Sequence, residues 1–236
     1  MSTMNMPLDA SQRIWVVVPA FNEGKVIRQV VQPLVREGYR VVVVDDGSSD
    51  GTIEQLGELP VHICRHVINL GQGAALQTGI QCAVQMGASF IVTFDADGQH
   101  RVEDVATILE PLLRGEREVV LGSRFKSQGN APGIPALRKF LLRSGAMFSR
   151  MALGLRVTDM HNGLRGFTAE AARKLEITQN RMAHATQILQ QIRRHRISYE
   201  EVPVTIRYTE YSMGKGQRLS NLLNVLWELA LEMIRR

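Results

Sequence analysis

The chain has 236 residues, 44% of them hydrophobic and 22% charged, with a formal charge of 28 − 23 = +5. That balance excludes a disordered polymer, and no apolar run approaches the ~20 residues of a membrane-spanning helix. Two cysteines, Cys64 and Cys82, make neither a zinc pattern nor a disulfide framework, which predicts a reducing, cytoplasmic setting. Residues 1–12 are polar and mixed, without the basic start and apolar centre of a secretory signal, and read as a flexible N-terminus.

Ile14-Trp15-Val16-Val17-Val18 is a β-branched run ending at Pro19 and predicts a buried parallel strand. A helix follows, with Val26, Ile27, Val30, Val31 and Leu34 at helical spacing; Pro33 predicts a kink and Gly38 the stop. Val41-Val42-Val43-Val44 is a second strand. It delivers Asp45-Asp46-Gly47-Ser48-Ser49-Asp50-Gly51-Thr52 to its carboxyl end, where open parallel sheets bind ligands. Asp50 reads equally as a cap for a short helix at 53–56. A third strand is expected at 61–64. Gly71 and Gly73 then open a helix: they admit either a phosphate near the backbone amides or close packing against a neighbour.

Ser89-Phe90-Ile91-Val92 predicts another buried strand, running into Asp95-Ala96-Asp97-Gly98-Gln99. Alternate residues of an extended segment point the same way, so Asp95, Asp97 and Gln99 can converge as three hard oxygen ligands for Mg²⁺ or Mn²⁺. The competing reading is an ordinary acidic turn. A helix at 102–113 and a strand at 118–122 follow. Strands alternating with helices predict an α/β sheet, mostly parallel, in one domain.

Between Arg124 and Arg165 stand eight Lys or Arg and one acid, Asp159, a local charge of 8 − 1 = +7 that attracts anions. Residues 126–133 read as a polar loop. Residues 134–155 read as a basic amphipathic helix suited to a membrane interface or to packing on its own domain. Residues 158–167 form a second unusual loop, in which Asp159 and His161 are acid–base candidates. Helices are expected at 169–175 and 183–194. A strand is expected at 199–207, with Pro203 placing it at an edge or bulge. Lys215 lies in a Gly-rich loop, and residues 219–236 form a final amphipathic helix. Aromatic platforms for nucleic acid are missing from the basic window.

Val18-Pro19-Ala20-Phe21-Asn22-Glu23, Val44-Asp45-Asp46-Gly47-Ser48, Asp95-Ala96-Asp97-Gly98-Gln99-His100, Gly122-Ser123-Arg124-Phe125 and Asp159-Met160-His161-Asn162-Gly163 occur in that order. This set resembles family 2 glycosyltransferases, in the dolichol-phosphate-mannose-synthase-like (polyprenyl-phosphate glycosyltransferase) branch. The likeness covers about residues 14–218. Arg101-Val102 stand where that branch usually has two prolines. The resemblance implies a GT-A catalytic domain over 13–218 and inverting sugar transfer from a GDP- or UDP-sugar to a polyprenyl or dolichyl phosphate at the inner membrane face. It implies that Pro19, Ala20, Glu23, Asp45, Asp46 and Gly71 meet the donor nucleotide. Asp95, Asp97 and Gln99 would hold metal and diphosphate, with Asp97 also catalytic. Arg124 and Arg138 would meet the acceptor phosphate, Asp159 would act as base or orienting group, and Lys215 would close over the donor. Two alternatives accompany it: transfer to a hydroxyl of an envelope glycan or glycolipid, and a non-catalytic nucleotide-sugar-binding subunit of a membrane complex. Peripheral membrane contact or a membrane-protein partner would bring the chain to a lipid.

Overall fold

The computed structural model describes residues 13–126, 155–180 and 183–207. Strands β1 (Ile14–Ala20) and β2 (Arg40–Asp45) are paired inner strands of the sheet, and every residue of β1 is buried. Their unbroken apolar runs follow from burial on both faces, which leaves no solvent side for polar residues. Helix α1 (Ile27–Arg36) joins them and runs on through Pro33 to Gly38, whose φ of 85° ends it. A single 3₁₀ turn (Glu54–Leu56) precedes β3 (His62–Arg65). Helix α2 (Gln72–Gln85), β4 (Phe90–Thr93), α3 (Glu103–Leu113) and β5 (Val119–Ser123) complete the expected alternation.

Beyond the basic window come β6 (Arg165–Thr168), α4 (Ala169–Lys174), α5 (His184–Arg194) and β7 (Tyr199–Pro203). The seven strands lie in the order β3-β2-β1-β4-β6-β5-β7. Six run parallel to one another, and β6 alone is antiparallel to both its neighbours. Sequence reading placed Arg165 to Phe167 in a loop; they form most of β6. The run is short and contains Arg and Gly, so it lacks the apolar signature of the other inner strands. β7 is an edge strand, as Pro203 implies, and it stops there instead of continuing to 207.

Two apolar layers cover the sheet. Trp15, Val17, Val42 and Val44 face α2, α4 and α5, while Ile14, Val16, Val18, Val41 and Val43 face α1 and α3. The odd–even split along β1 and β2 is the period-two pleat read directly. The loops after β1, β2 and β4 emerge on one rim, and so do the residues the sequence singles out. The N-terminal segment, the 127–133 part of the polar loop, most of the basic amphipathic helix, Arg138, Lys215 and the helix at 219–236 lie outside the described residues.

Candidate active site

The loops after β1 and β2 are tied together by side-chain hydrogen bonds. Asn22 N donates to Ser48 Oγ at 2.9 Å, Ser49 N to Asn22 Oδ1 at 2.9 Å, and Glu23 N to Thr52 Oγ1 at 2.9 Å. Asp50 accepts from Gly24 N at 3.0 Å and Thr52 N at 3.1 Å, so it braces this junction. Asn22 holds a φ of 54°, a left-handed conformation that asparagine tolerates better than most residues. Pro19 and Ala20 are the buried last residues of β1, and Ala20 O accepts Asp46 N at 2.8 Å.

The consecutive aspartates have separate tasks. Asp45 is fully buried; its Oδ1 accepts Ser48 N at 3.0 Å and its Oδ2 lies 3.1 Å from Arg65 Nε. Asp46 Oδ1 lies 2.7 Å from His66 Nδ1 and accepts Leu70 N at 2.9 Å; Oδ2 accepts Gly71 N at 2.7 Å. Asp46 thus folds residues 66–71 around its own carboxylate. At Gly71, with φ 103°, a Cβ would stand 2.2 Å from Asn180 O; at Gly73 one would stand 2.0 Å from Gln179 O. These glycines permit close packing against the 179–180 backbone, and Gly73 N donates to Asn180 O at 2.9 Å.

Asp95 and Asp97 follow β4 on the same rim. Asp95 Oδ1 accepts Gln72 Nε2 at 3.0 Å, and Oδ2 lies 3.1 Å from His100 Nε2. Burial opposes ionisation of Asp95, but the hydrogen bond to His100 and the electrostatic influence of His100, His184 and Arg165 outweigh it and hold the carboxyl below its usual range. Asp97 goes the other way: burial, and then the charge of Asp95, push it up to about 6. Gln99 closes the turn, its N–H donating to Asp97 Oδ1 at 3.0 Å and its carbonyl accepting Arg207 N at 2.9 Å. Among the described residues no three His, Cys, Asp or Glu side chains group as a complete metal cage. Two carboxylates two residues apart, the charge of Asp95 opposing ionisation of Asp97, with Gln99 in the same turn, nevertheless fit an ion such as Mg²⁺, which takes few protein ligands and keeps water or phosphate on the rest.

Gly163 brings the second loop against this pair. A Cβ there would stand 2.0 Å from Asp95 Oδ2, so only glycine lets the backbone pass. Thr93 Oγ1 donates to Gly163 O at 2.7 Å and fixes the approach. Arg165 is buried beyond it; Nε donates to Asn162 O at 3.0 Å and Nη2 to Met160 O at 2.7 Å, while buried Nη1 has no partner among the described residues. Burial lowers this guanidinium to about 10 against the attraction of Asp95 and Asp159, so it is still a cation at neutral pH.

Arg124, just past β5, forms a forked pair with Asp159: Nε to Oδ2 and Nη2 to Oδ1, both 2.7 Å, with the Arg124 amide adding 3.1 Å to Oδ2. Burial works against the Asp159 carboxylate, but Arg124 holds it below its usual range. Glu201 of β7 supports the loop from behind. It accepts Thr158 N at 2.7 Å and Asp159 N at 3.0 Å on Oε1, and Thr158 Oγ1 at 2.9 Å on Oε2. Sequence reading missed Glu201, and also His100 and Gln72 as partners of Asp95. The one available signal for Glu201 was a pair of acids, Glu200 and Glu201, inside a strand, where alternation turns one of them inward. His161 is half-buried here; desolvation, then Arg165, lower its pKa and keep it neutral, and its shielded Nδ1 has no partner among the described residues.

Residues 15–176 match the model of glycosyl transferase family 2. A UDP-N-acetylglucosamine–dolichyl-phosphate N-acetylglucosaminyltransferase of Methanococcus voltae is 31% identical, over 93% of this chain and 96% of its own. A polyprenol monophosphomannose synthase of Mycolicibacterium smegmatis is 28% identical, over 93% and 86%. Glucosyl-3-phosphoglycerate synthase of Mycobacterium tuberculosis, crystallised with Mn²⁺, UDP and phosphoglyceric acid, superposes with a TM-score of 0.69 at 21% identity, over 93% of this chain and 80% of that one. Both lipid-linked relatives are matched nearly end to end, and the last likeness concerns the fold alone. The mixed sheet with its acidic rim is therefore a GT-A fold, and the chain belongs to glycosyl transferase family 2, in the polyprenyl-phosphate transferase-like branch.

Proposed function

We propose that the chain transfers a sugar from a nucleotide-diphosphate sugar to a polyprenyl or dolichyl phosphate, with inversion at the anomeric carbon. The observation that carries this is the forked Arg124–Asp159 pair, set beside the Asp95–Asp97 turn by Gly163. An oxygen of the acceptor phosphate attacks the anomeric carbon as the bond from that carbon to the diphosphate oxygen breaks. The electron pair leaves with the nucleoside diphosphate. A phosphate is already an anion and needs positioning more than deprotonation. That suits Asp159, whose lone pairs are committed to Arg124: it orients the guanidinium instead of taking a proton.

Asp95, Asp97 and Gln99 are the residues that would hold Mg²⁺ or Mn²⁺, and such an ion, when bound, offsets charge on the departing diphosphate. Pro19, Ala20 and Glu23 flank the nucleoside. Asp45, Asp46 and Gly71 shape its pocket through the loop they brace. Arg138 is assigned to the acceptor phosphate and Lys215 to the donor, and both lie outside the described residues. No helix among the described residues is long and apolar enough to cross a membrane. The basic window at 134–155 is assigned to the cytoplasmic membrane surface where the lipid resides; a membrane-protein partner would be the other route, and no observation favours it.

The test is a donor panel of UDP- and GDP-sugars with the purified full chain, with and without polyprenyl phosphate, in Mn²⁺, Mg²⁺ or EDTA. Nucleoside-diphosphate release that requires the lipid phosphate and stops in EDTA is expected. Transfer to a soluble glycan but not to the lipid phosphate would overturn the acceptor. That second reading, a hydroxyl acceptor, draws on half-buried, neutral His161 as the base. It requires His161→Gln to abolish transfer, whereas a phosphate acceptor tolerates that change.

A further inference from the structure

Strand β6 runs antiparallel to β4 and β5, so it begins on the rim where they end. Arg165 is its first residue and pairs with Thr93, the last residue of β4, two positions before Asp95. Its side chain turns back onto the loop that leads into the strand. One guanidinium donates to both ends of the 160–162 turn, through Nη2 to Met160 O and Nε to Asn162 O. Thr93 Oγ1 holds the next carbonyl, that of Gly163, and Asn162 Oδ1 accepts Leu164 N at 3.0 Å. The loop carrying Asp159 is thus latched from β6 and pinned from β4. Latching alone does not need a charge. Arg165 is 5% exposed, its Nη1 has no partner among the described residues, and burying a cation carries a heavy desolvation penalty. A neutral amide side chain would hold a carbonyl without stranding a charged donor. What the charge gains is the attraction of two acids that contact other groups: Asp95, against His100, and Asp159, forked with Arg124. One belongs to the donor half of the site and the other to the acceptor half.

We propose that Arg165 is a positioning residue for the transfer: it latches the 159–163 loop and, through its charge, holds the Asp95 and Asp159 halves of the site at one spacing. The inference rests on the sugar transfer proposed above and deepens it. Attack needs the acceptor oxygen about 3–3.5 Å from the anomeric carbon when both substrates are bound. The Asp95–Asp97 turn places the donor, and the Arg124–Asp159 fork places the acceptor phosphate. Arg165 touches neither substrate and acts through the two carboxylates. Each substrate therefore binds without it, and what is lost in its absence is their alignment. That loss appears in kcat and not in KM.

The experiment compares the full chain with Arg165→Lys and Arg165→Gln, using a UDP- or GDP-sugar, polyprenyl phosphate and Mn²⁺. Both variants keep a donor for one carbonyl, and only lysine keeps the charge. Arg165→Lys should lower kcat about tenfold, the effect of one lost hydrogen bond. Arg165→Gln should lower it about 100-fold, with KM for both substrates within about threefold of the wild type. Equal losses in the two variants, a kcat within about threefold of the wild type in Arg165→Gln, or a raised KM with kcat kept would each overturn the role. A measurement on the wild type covers the case in which a variant does not fold. By NMR, the Arg165 Nε–H, donated to Asn162 O, should exchange with water roughly tenfold more slowly than that of exposed Arg173. Equal exchange would overturn the latch. If the wild-type chain transfers no sugar, the proposed function fails, and the Nε–H exchange still decides whether Arg165 holds the loop. If it transfers sugar and Arg165→Gln is as active, the function stands and the positioning falls.

Discussion

Gly163 carries a constraint that no charged residue shows. Its missing side chain is filled by the Asp95 carboxylate, with Oδ2 2.0 Å and Cγ 2.5 Å from where a Cβ would stand. Gly163→Ala must push Asp95 away from Gln72 and His100. A displacement of about 1 Å at reacting groups costs on the order of 100-fold, so kcat/KM should fall by about that factor while the far-UV circular dichroism is retained. The Arg124–Asp159 pair makes a different prediction, about pH. The folded carboxyl is held below its unfolded value, so its stabilisation is fully present above about pH 4 and is lost as pH falls through the lowered folded value. Asp159→Asn removes the pair and should cost about 3 kcal/mol at pH 7, since Arg124 is left mostly buried without its counter-charge. Urea titrations of both proteins should converge below about pH 4, as the wild type loses the same interaction. A constant gap down to pH 2 would deny that the pair is what holds Asp159.

At the scale of elements, helix α2 is set against β1 and β2 by Gly79. Alanine there would gain about 1 kcal/mol of helix propensity but must displace Val17 and Val44, an overpacking cost of about 1–3 kcal/mol. Gly79→Ala should therefore lower stability by about 1 kcal/mol in chemical denaturation, where propensity alone predicts a gain. Strand β7 acts on the site at a distance. Glu201→Ala leaves the amides of Thr158 and Asp159 without their acceptor, a cost of about 2–4 kcal/mol. It should also lower kcat by releasing the Asp159 loop. Glu201→Gln keeps an acceptor for both amides and should restore most of kcat, which separates positioning from a need for charge. Element by element, the strands β1, β2, β4 and β5 and the helices among them were legible because each is apolar with a clear period. β6 was not, because Arg165-Gly166-Phe167-Thr168 owes its strand form to pairing with β4 and β5 on both sides.

For the molecule as a whole, the proposed site joins groups from four separate segments of chain: the loops after β1, β2 and β4, and the 158–163 segment. Nucleoside diphosphate with Mn²⁺ should bind across them and raise Tm. At about 100-fold excess over Kd the stabilisation is about 2.7 kcal/mol, or roughly 5–10 °C for a chain of this size. Asp97→Asn should remove the Mn²⁺-dependent part of that rise and leave the metal-free Tm within a few degrees of the wild type. An equal rise in the variant would place the ion elsewhere. The sequence by itself determined the α/β alternation, the acidic rim at the strand ends and the family, because strand burial and motif order are written locally along the chain. Only the tertiary structure decided which acids are spoken for. Asp45, Asp46 and Asp159 look alike in sequence to Asp97. Their oxygens are committed to Arg65, Ser48, His66, Gly71 and Arg124, partners brought in from 3 to 35 residues away. Asp97 instead faces the charge of Asp95. A carboxylate's role depends on which donors reach it, and that is a property of the folded chain.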